Sequence, residues 1–146
     1  DLPLPAFGYH HRSGEALSYT LGVPHSGIHW RPADRLSLSV NYGIPVTFNA
    51  TVAYDVTSAV TAFTRFDNRL DAFTLNGARD HRRLFFQQRR IEAGVRVTPH
   101  DMVDMTVAGG YAFDQEFENG FDSRDLNGVA DVSDEPFVRA AMKFRF

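Results

Sequence analysis

The side chains with the widest chemical reach here are six histidines, a run of carboxylates and a cluster of arginines. His10, His11, His25 and His29 gather near the N-terminus, with His81 and His100 further along. Imidazoles hold a metal when three or four ligands converge on one point and are themselves held by hydrogen bonds from behind. His25 and His29 share a face in a strand, but no third ligand accompanies them at a metal-site spacing. Ser26 lies beside His25, as a hydrolase nucleophile would, yet no acid follows at a diagnostic spacing. Between residues 114 and 135 stand Asp114, Glu116, Glu118, Asp122, Asp125, Asp131, Asp134 and Glu135. Such oxygen density suits Ca²⁺, but it lacks the glycine and terminal glutamate of an EF-hand at their fixed offsets. A solvated outer loop is the favoured reading of this stretch. Arg79, Arg82, Arg83, Arg89 and Arg90 flank another polar stretch, and guanidinium forks grip phosphates. There they suit lipopolysaccharide phosphates, or paired and solvated loop charge. No glycine-rich phosphate loop and no cysteine is present. These residues predict no catalytic, cofactor-binding or metal site, and a protein that is not an enzyme.

The elements that carry these residues are read from periodicity. From Leu36 to Val56 the even positions run Leu36, Leu38, Val40, Tyr42, Ile44, Val46, Phe48, Ala50, Val52, Tyr54, Val56. The odd positions between them are small or polar. That is a strand period, not a helix period. The run is too long for one ordinary strand, and Gly43-Ile44-Pro45 is its natural break. A three-residue turn there pairs residue 42 with residue 46 and keeps one common apolar face. The same alternation returns in Ile91–Val97, Met105–Phe113 and Val138–Phe146. It returns more weakly in Val60–Phe66, opposite Arg65 and Asp67. Near the N-terminus the apolar parity changes, from Leu17, Tyr19, Leu21 and Val23 to Ile28 and Trp30. A bulge or break therefore belongs near Pro24.

Composition narrows the setting. The 146 residues suffice for one domain, and the formal charge of -3 argues against nucleic-acid binding by bulk electrostatics. Fourteen of the fifteen basic residues are Arg, Lys143 being the exception. That bias suits fixed, paired positions and fits a coding bias as well. No apolar run is long enough for a transmembrane helix, and no secretory signal opens the sequence.

A soluble barrel turns its apolar face inward, and a membrane barrel turns it outward. Alternation alone leaves both open. Three features favour the membrane arrangement. Short connections at Pro32–Arg35, Thr57–Ala59 and Thr98–Asp101 alternate with longer ones near 75–84 and 118–135, although Gly43–Pro45 is short on the long-loop side. Aromatic residues stand near strand ends, at Trp30, Tyr42, Tyr54, Tyr111, Phe113, Phe144 and Phe146, as in interfacial girdles. The polar parity carries Arg90, Glu92, Arg96, Asp104, Arg139 and Lys143, a mixed set suited to a hydrated, salt-bridged lumen.

The segment Arg139-Ala140-Ala141-Met142-Lys143-Phe144-Arg145-Phe146 resembles the C-terminal assembly signal of bacterial outer-membrane barrels. Arg139, Ala141, Phe144 and Phe146 fit it, with Ala141 where Gly is commoner. Gly27–Leu36, Gly110–Asp114 and Asp134–Phe137 add a likeness, over roughly residues 16–146, to a family of predicted outer-membrane barrels of unknown function. The resemblance implies recognition by the barrel-assembly machinery and supplies no catalytic residue. Its members are usually longer at the N-terminus, so residues before Asp1 are expected.

The expected fold is all-β: one domain over 1–146 forming an antiparallel up-and-down transmembrane β-barrel. It has about eight strands or is the C-terminal part of a larger barrel. Strands are expected near 16–31, 35–43, 46–56, 59–74, 84–98, 102–117 and 136–146, with 5–12 as a possible addition. The expected location is the bacterial outer membrane. Its lipid and lipopolysaccharide, the assembly machinery and other membrane-complex subunits are the expected partners. A structural, assembly-partner or narrow-channel role leads. A transport channel within a larger barrel and a soluble lipocalin-like barrel for an apolar ligand are the alternatives.

Overall fold

A computed structural model describes residues 6–44, 46–74, 83–100, 102–120 and 126–145. It contains ten strands: β1 (Phe7–Ser13), β2 (Leu17–Val23), β3 (His25–Ala33), β4 (Leu36–Gly43), β5 (Thr47–Asp55), β6 (Val60–Thr74), β7 (Arg83–His100), β8 (Val103–Gly120), β9 (Leu126–Val132) and β10 (Glu135–Phe144). All neighbours pair antiparallel in the order β1-β2-β3-β4-β5-β6-β7-β8-β10, and β9 pairs with β8 beside β10. The sheet is a meander whose path does not close on itself. Ten strands replace the expected eight or so, and each difference has a local cause.

The expected single strand 16–31 is a hairpin. Leu17 pairs with Trp30 and Thr20 with Gly27 around a turn at Pro24. Each such pair joins an odd residue to an even one, so the chain reversal itself produces the change of parity. Pro24 cannot donate to a ladder, and Gly22 lets β1 approach closely. A Cβ on Gly22 would lie 2.5 Å from the Phe7 carbonyl oxygen. At the turn between β4 and β5, residue 42 pairs with Phe48 rather than with residue 46. This longer connection still joins even to even, so the apolar face continues.

The second difference is β9, inside the stretch expected to be a long acidic loop. β9 and β10 lie against one edge of β8, and the register runs on across their junction, Gln115 with Val132 and Ala112 with Glu135, shifting only further along β9 between Phe117 and Glu118. Together they act as one long strand interrupted at residues 133–134. The interruption lies opposite Asp114, whose φ is 48°. There two residues of β8 oppose one of β7, because the register slips between Gln87–Glu116 and Arg89–Phe113. This is a bulge with its extra residue in the left-handed region.

Residues directly opposite in a ladder share a face. One face carries rows such as Trp30, Leu38, Val52, Thr64, Ala93, Gly109 and Val138, and Ile28, Val40, Ala50, Phe66, Ile91 and Tyr111. The other carries Ser39, Thr51, Arg65, Glu92 and Gly110. Burial is concentrated on the polar face of β6 to β8. Apolar Val52 and Val107 are 45% and 59% exposed, whereas Glu92 on the polar face is 2% exposed. Phe63, Ala108 and Ala112 are buried on that polar face as well. Above Asp114 the pattern ends. Asn68, Arg89, Gln87 and Glu116 continue the rows of the apolar face with polar groups, and Leu70 and Phe85 are buried there.

Candidate functional site: the polar face

All six residues singled out for the polar parity lie on one face. Thr61, Arg96 and Thr106 form one row, and Phe63, Gly94, Ala108 and Arg139 the next. Arg65, Glu92 and Gly110 come after, followed by Asp67, Arg90 and Ala112. Asp104 pairs in register with Lys143 at the lower end.

Glu92 is the centre of this face. Its carboxylate accepts two hydrogen bonds from Arg139, at 2.8 Å to Oε1 and 3.3 Å to Oε2. Arg65 stands 3.6 Å away on the other side and lies over the Phe63 ring at 5.7 Å. A buried carboxylate needs such company, because an isolated charge out of water costs several kcal/mol. The small residues beside it make the space. A Cβ on Gly94 would meet that of Ala108 at 2.6 Å, and one on Gly110 would meet the Phe137 ring at 2.7 Å. Arg90 donates to Asp67 at 3.1 Å, and Asn49 donates to the other Asp67 oxygen at 2.5 Å. Asp104 accepts from Thr98 at 2.7 Å and pairs with Arg145. Arg65, Asp67 and Arg145 thus belong to the network beside the six. The first two were visible as polar residues opposite the weak apolar row of 60–66, but not as partners.

The other candidates separate. His25 and His29 do face one side of β3, lining with Ser18, Asn41 and Thr47 a cleft of about 590 Å³. Four residues along a strand span about 13 Å, too far to share a metal. His10 is bonded to Thr20 at 3.0 Å, and His11 packs against Tyr19 on the other face. Among the described residues no three His, Asp or Glu side chains are placed to hold a metal. Ser26 is occupied in its turn, donating to the Gly22 carbonyl and accepting from the Gly22 amide, both at 3.0 Å. Arg89 pairs with Asp114 at 2.5 Å. Arg79, Arg82, His81, Asp122 and Asp125 lie outside the described residues, as do Pro45, Asp101 and Phe146. In the C-terminal segment Arg139 and Ala141 face the polar side, and Phe144 faces the apolar side opposite Val103. Beyond the bulge, burial raises the Glu118 carboxyl above the ordinary range, and the Glu116 charge adds to this.

No family model, curated protein or solved structure matches the chain.

Proposed function

We propose that this chain is a sector of a bacterial outer-membrane β-barrel, with a structural or narrow-channel role and no enzymatic activity. The observation that carries this reading is the inverted sheet: apolar rows exposed, while Glu92, Phe63, Ala108 and Ala112 are buried on the charged face. A soluble lipocalin-like barrel requires the reverse. Dimensions agree. From Val103 to Phe113 in β8 is about 33 Å along the strand. At a tilt of about 40° this spans about 25 Å, the height of a lipid-facing apolar band. Phe144 and Tyr54 lie towards its lower edge, and Tyr42, Phe48 and Phe113 share its upper row. The long hairpins of β6 to β9 then project beyond the membrane, where the outer rows turn polar.

The path contains nine strands, so its first and last run in the same direction. Closing β1 directly on β10 requires a parallel pair, whereas single-chain bacterial barrels have even, antiparallel counts. A closed barrel therefore needs an odd number of further strands at the seam, ten in all at the least. This favours part of a larger barrel and keeps a transport channel as the second reading. Open edges in lipid leave backbone groups unpaired at several kcal/mol each. The Arg139–Phe146 segment addresses the chain to the assembly machinery, with lipid and lipopolysaccharide as its surroundings.

The absence of cysteine makes the test simple. Single cysteines at Val40, Val52 and Val107, and at Ser39 and Thr51, are labelled with a fluorophore in the full chain reconstituted in vesicles. Lipids brominated in their acyl chains quench the first three and spare the last two. Equal quenching at Thr51 and Val52 in the inserted chain refutes the proposal.

A further inference from the structure

We infer that the polar face contains a binding site for a small tetrahedral oxyanion, phosphate or sulfate, between β4 and β7. A cleft of about 260 Å³ is lined by Arg65 and Arg96, by Ser37, Ser39, Thr51 and Thr61, and by Asn49. No carboxylate lines it. Water takes about 30 Å³ per molecule in the liquid, so the ion fits with part of its hydration shell.

The lining itself carries two guanidiniums and no carboxylate. Glu92 is one carboxylate shared by two guanidiniums, Arg65 at 3.6 Å and Arg139 at 2.8 Å. Arg96 has no ion pair or hydrogen bond among the described residues. The Arg96 charge acts on Asp104 at the lower end of this face, but the hydrogen bonds of the neighbouring carboxylates go to other groups. Asp104 is held by Arg145 and Thr98, and Asp55 accepts the Thr61 hydroxyl at 2.7 Å. Asp67 is held by Arg90 and Asn49. Ser37 and Ser39 also make no side-chain hydrogen bond among the described residues, so their hydroxyls remain as donors. Arg65 contributes a long 3.4 Å bond to Thr51 and keeps further N–H groups. A guanidinium fork flanked by hydroxyls matches oxyanion geometry, which a lysine ammonium meets only as a point charge.

The site depends on the polar face alone and stands whether or not the opposite face meets lipid. The test is calorimetric titration of the full chain, folded in a phosphate-free detergent, with inorganic phosphate and separately with sulfate. Chloride at matched ionic strength is the reference. Saturable binding of phosphate or sulfate beyond chloride is expected, weakening as salt rises. Arg96→Gln should weaken it about tenfold or more, and Arg96→Lys less. Lys143→Gln, on the same face but outside the cleft, should leave it unchanged. If Arg96→Gln fails to fold by circular dichroism, the pair Ser37→Ala and Ser39→Ala replaces it and should weaken binding several-fold. Absence of saturable binding overturns the proposal, as does wild-type affinity in the folded Arg96→Gln protein or in its serine replacement.

Discussion

Glu92 and Arg139 offer the sharpest energetic test of the polar face. Breaking a fully buried ion pair from one side costs about 3–5 kcal/mol. A hydrogen bond to a charged group contributes about 1.5–3 kcal/mol net. The Glu92 side chain is 1% exposed, but Arg139 is 38% exposed, and Arg65 remains as a second partner at 3.6 Å. Arg139→Ala should therefore cost about 2–3 kcal/mol, below the fully buried limit. Glu92→Ala should cost a similar amount, by leaving two guanidiniums facing each other. In a double-mutant cycle the coupling should be about 1.5–3 kcal/mol. Urea unfolding in micelles, followed by the fluorescence of the single tryptophan, Trp30, gives the four stabilities at a common slope. The coupling should survive high salt, because buried pairs are poorly screened. A coupling below about 0.5 kcal/mol equals the additivity of unrelated sites and would show that Glu92 and Arg139 do not act together.

Three further outcomes follow from particular contacts. Val52→Arg, on an apolar row near the middle of β5, should cost about 2–4 kcal/mol in vesicles, while Asn41→Arg on the opposite face, in the row of Asn49 and Asp67, should cost much less; folding titrations of both check this. Gly94→Ala should destabilise by about 1–3 kcal/mol by overpacking against Ala108, and an unchanged urea midpoint would show that this row has room. Glu118→Gln tests the raised carboxyl beyond the bulge. The folded chain keeps its proton at a pH where the unfolded chain, near 4.5, has already lost it. Folding is thus disfavoured progressively as pH rises from about that value through the higher folded one. The variant should lose this dependence and protect the β8–β9 amides better at neutral pH, as read by hydrogen exchange at matched pH values.

Faces were legible in the sequence, and rows were not. Alternation has a period of two, so a strand's parity survives any even change of register. Pairing Tyr42 with Phe48 instead of residue 46 leaves Val40 and Val52 on the apolar side, yet it moves every neighbour along β5. The face of Glu92 was therefore readable from Ile91–Val97 alone. Its partner was not, because Arg139 lies 47 residues away and reaches it only through the register of β10 on β8. Similar reasoning explains the missed elements. A bulge and a hairpin change parity alike, so the shift near Pro24 could not reveal that the chain turns back. β9 has apolar Leu126, Ala130 and Val132 on even positions. Gly128 leaves a gap in that series, the register shift there breaks the ladder, and the acidic flanks suggest solvent. A charge on a strand thus has its side fixed by local sequence and its partner fixed by turns. Arg96 is the case where those turns leave the guanidinium without a direct ion pair among the described residues, its charge reaching Asp104 only at longer range, and this could be found only in the folded sheet.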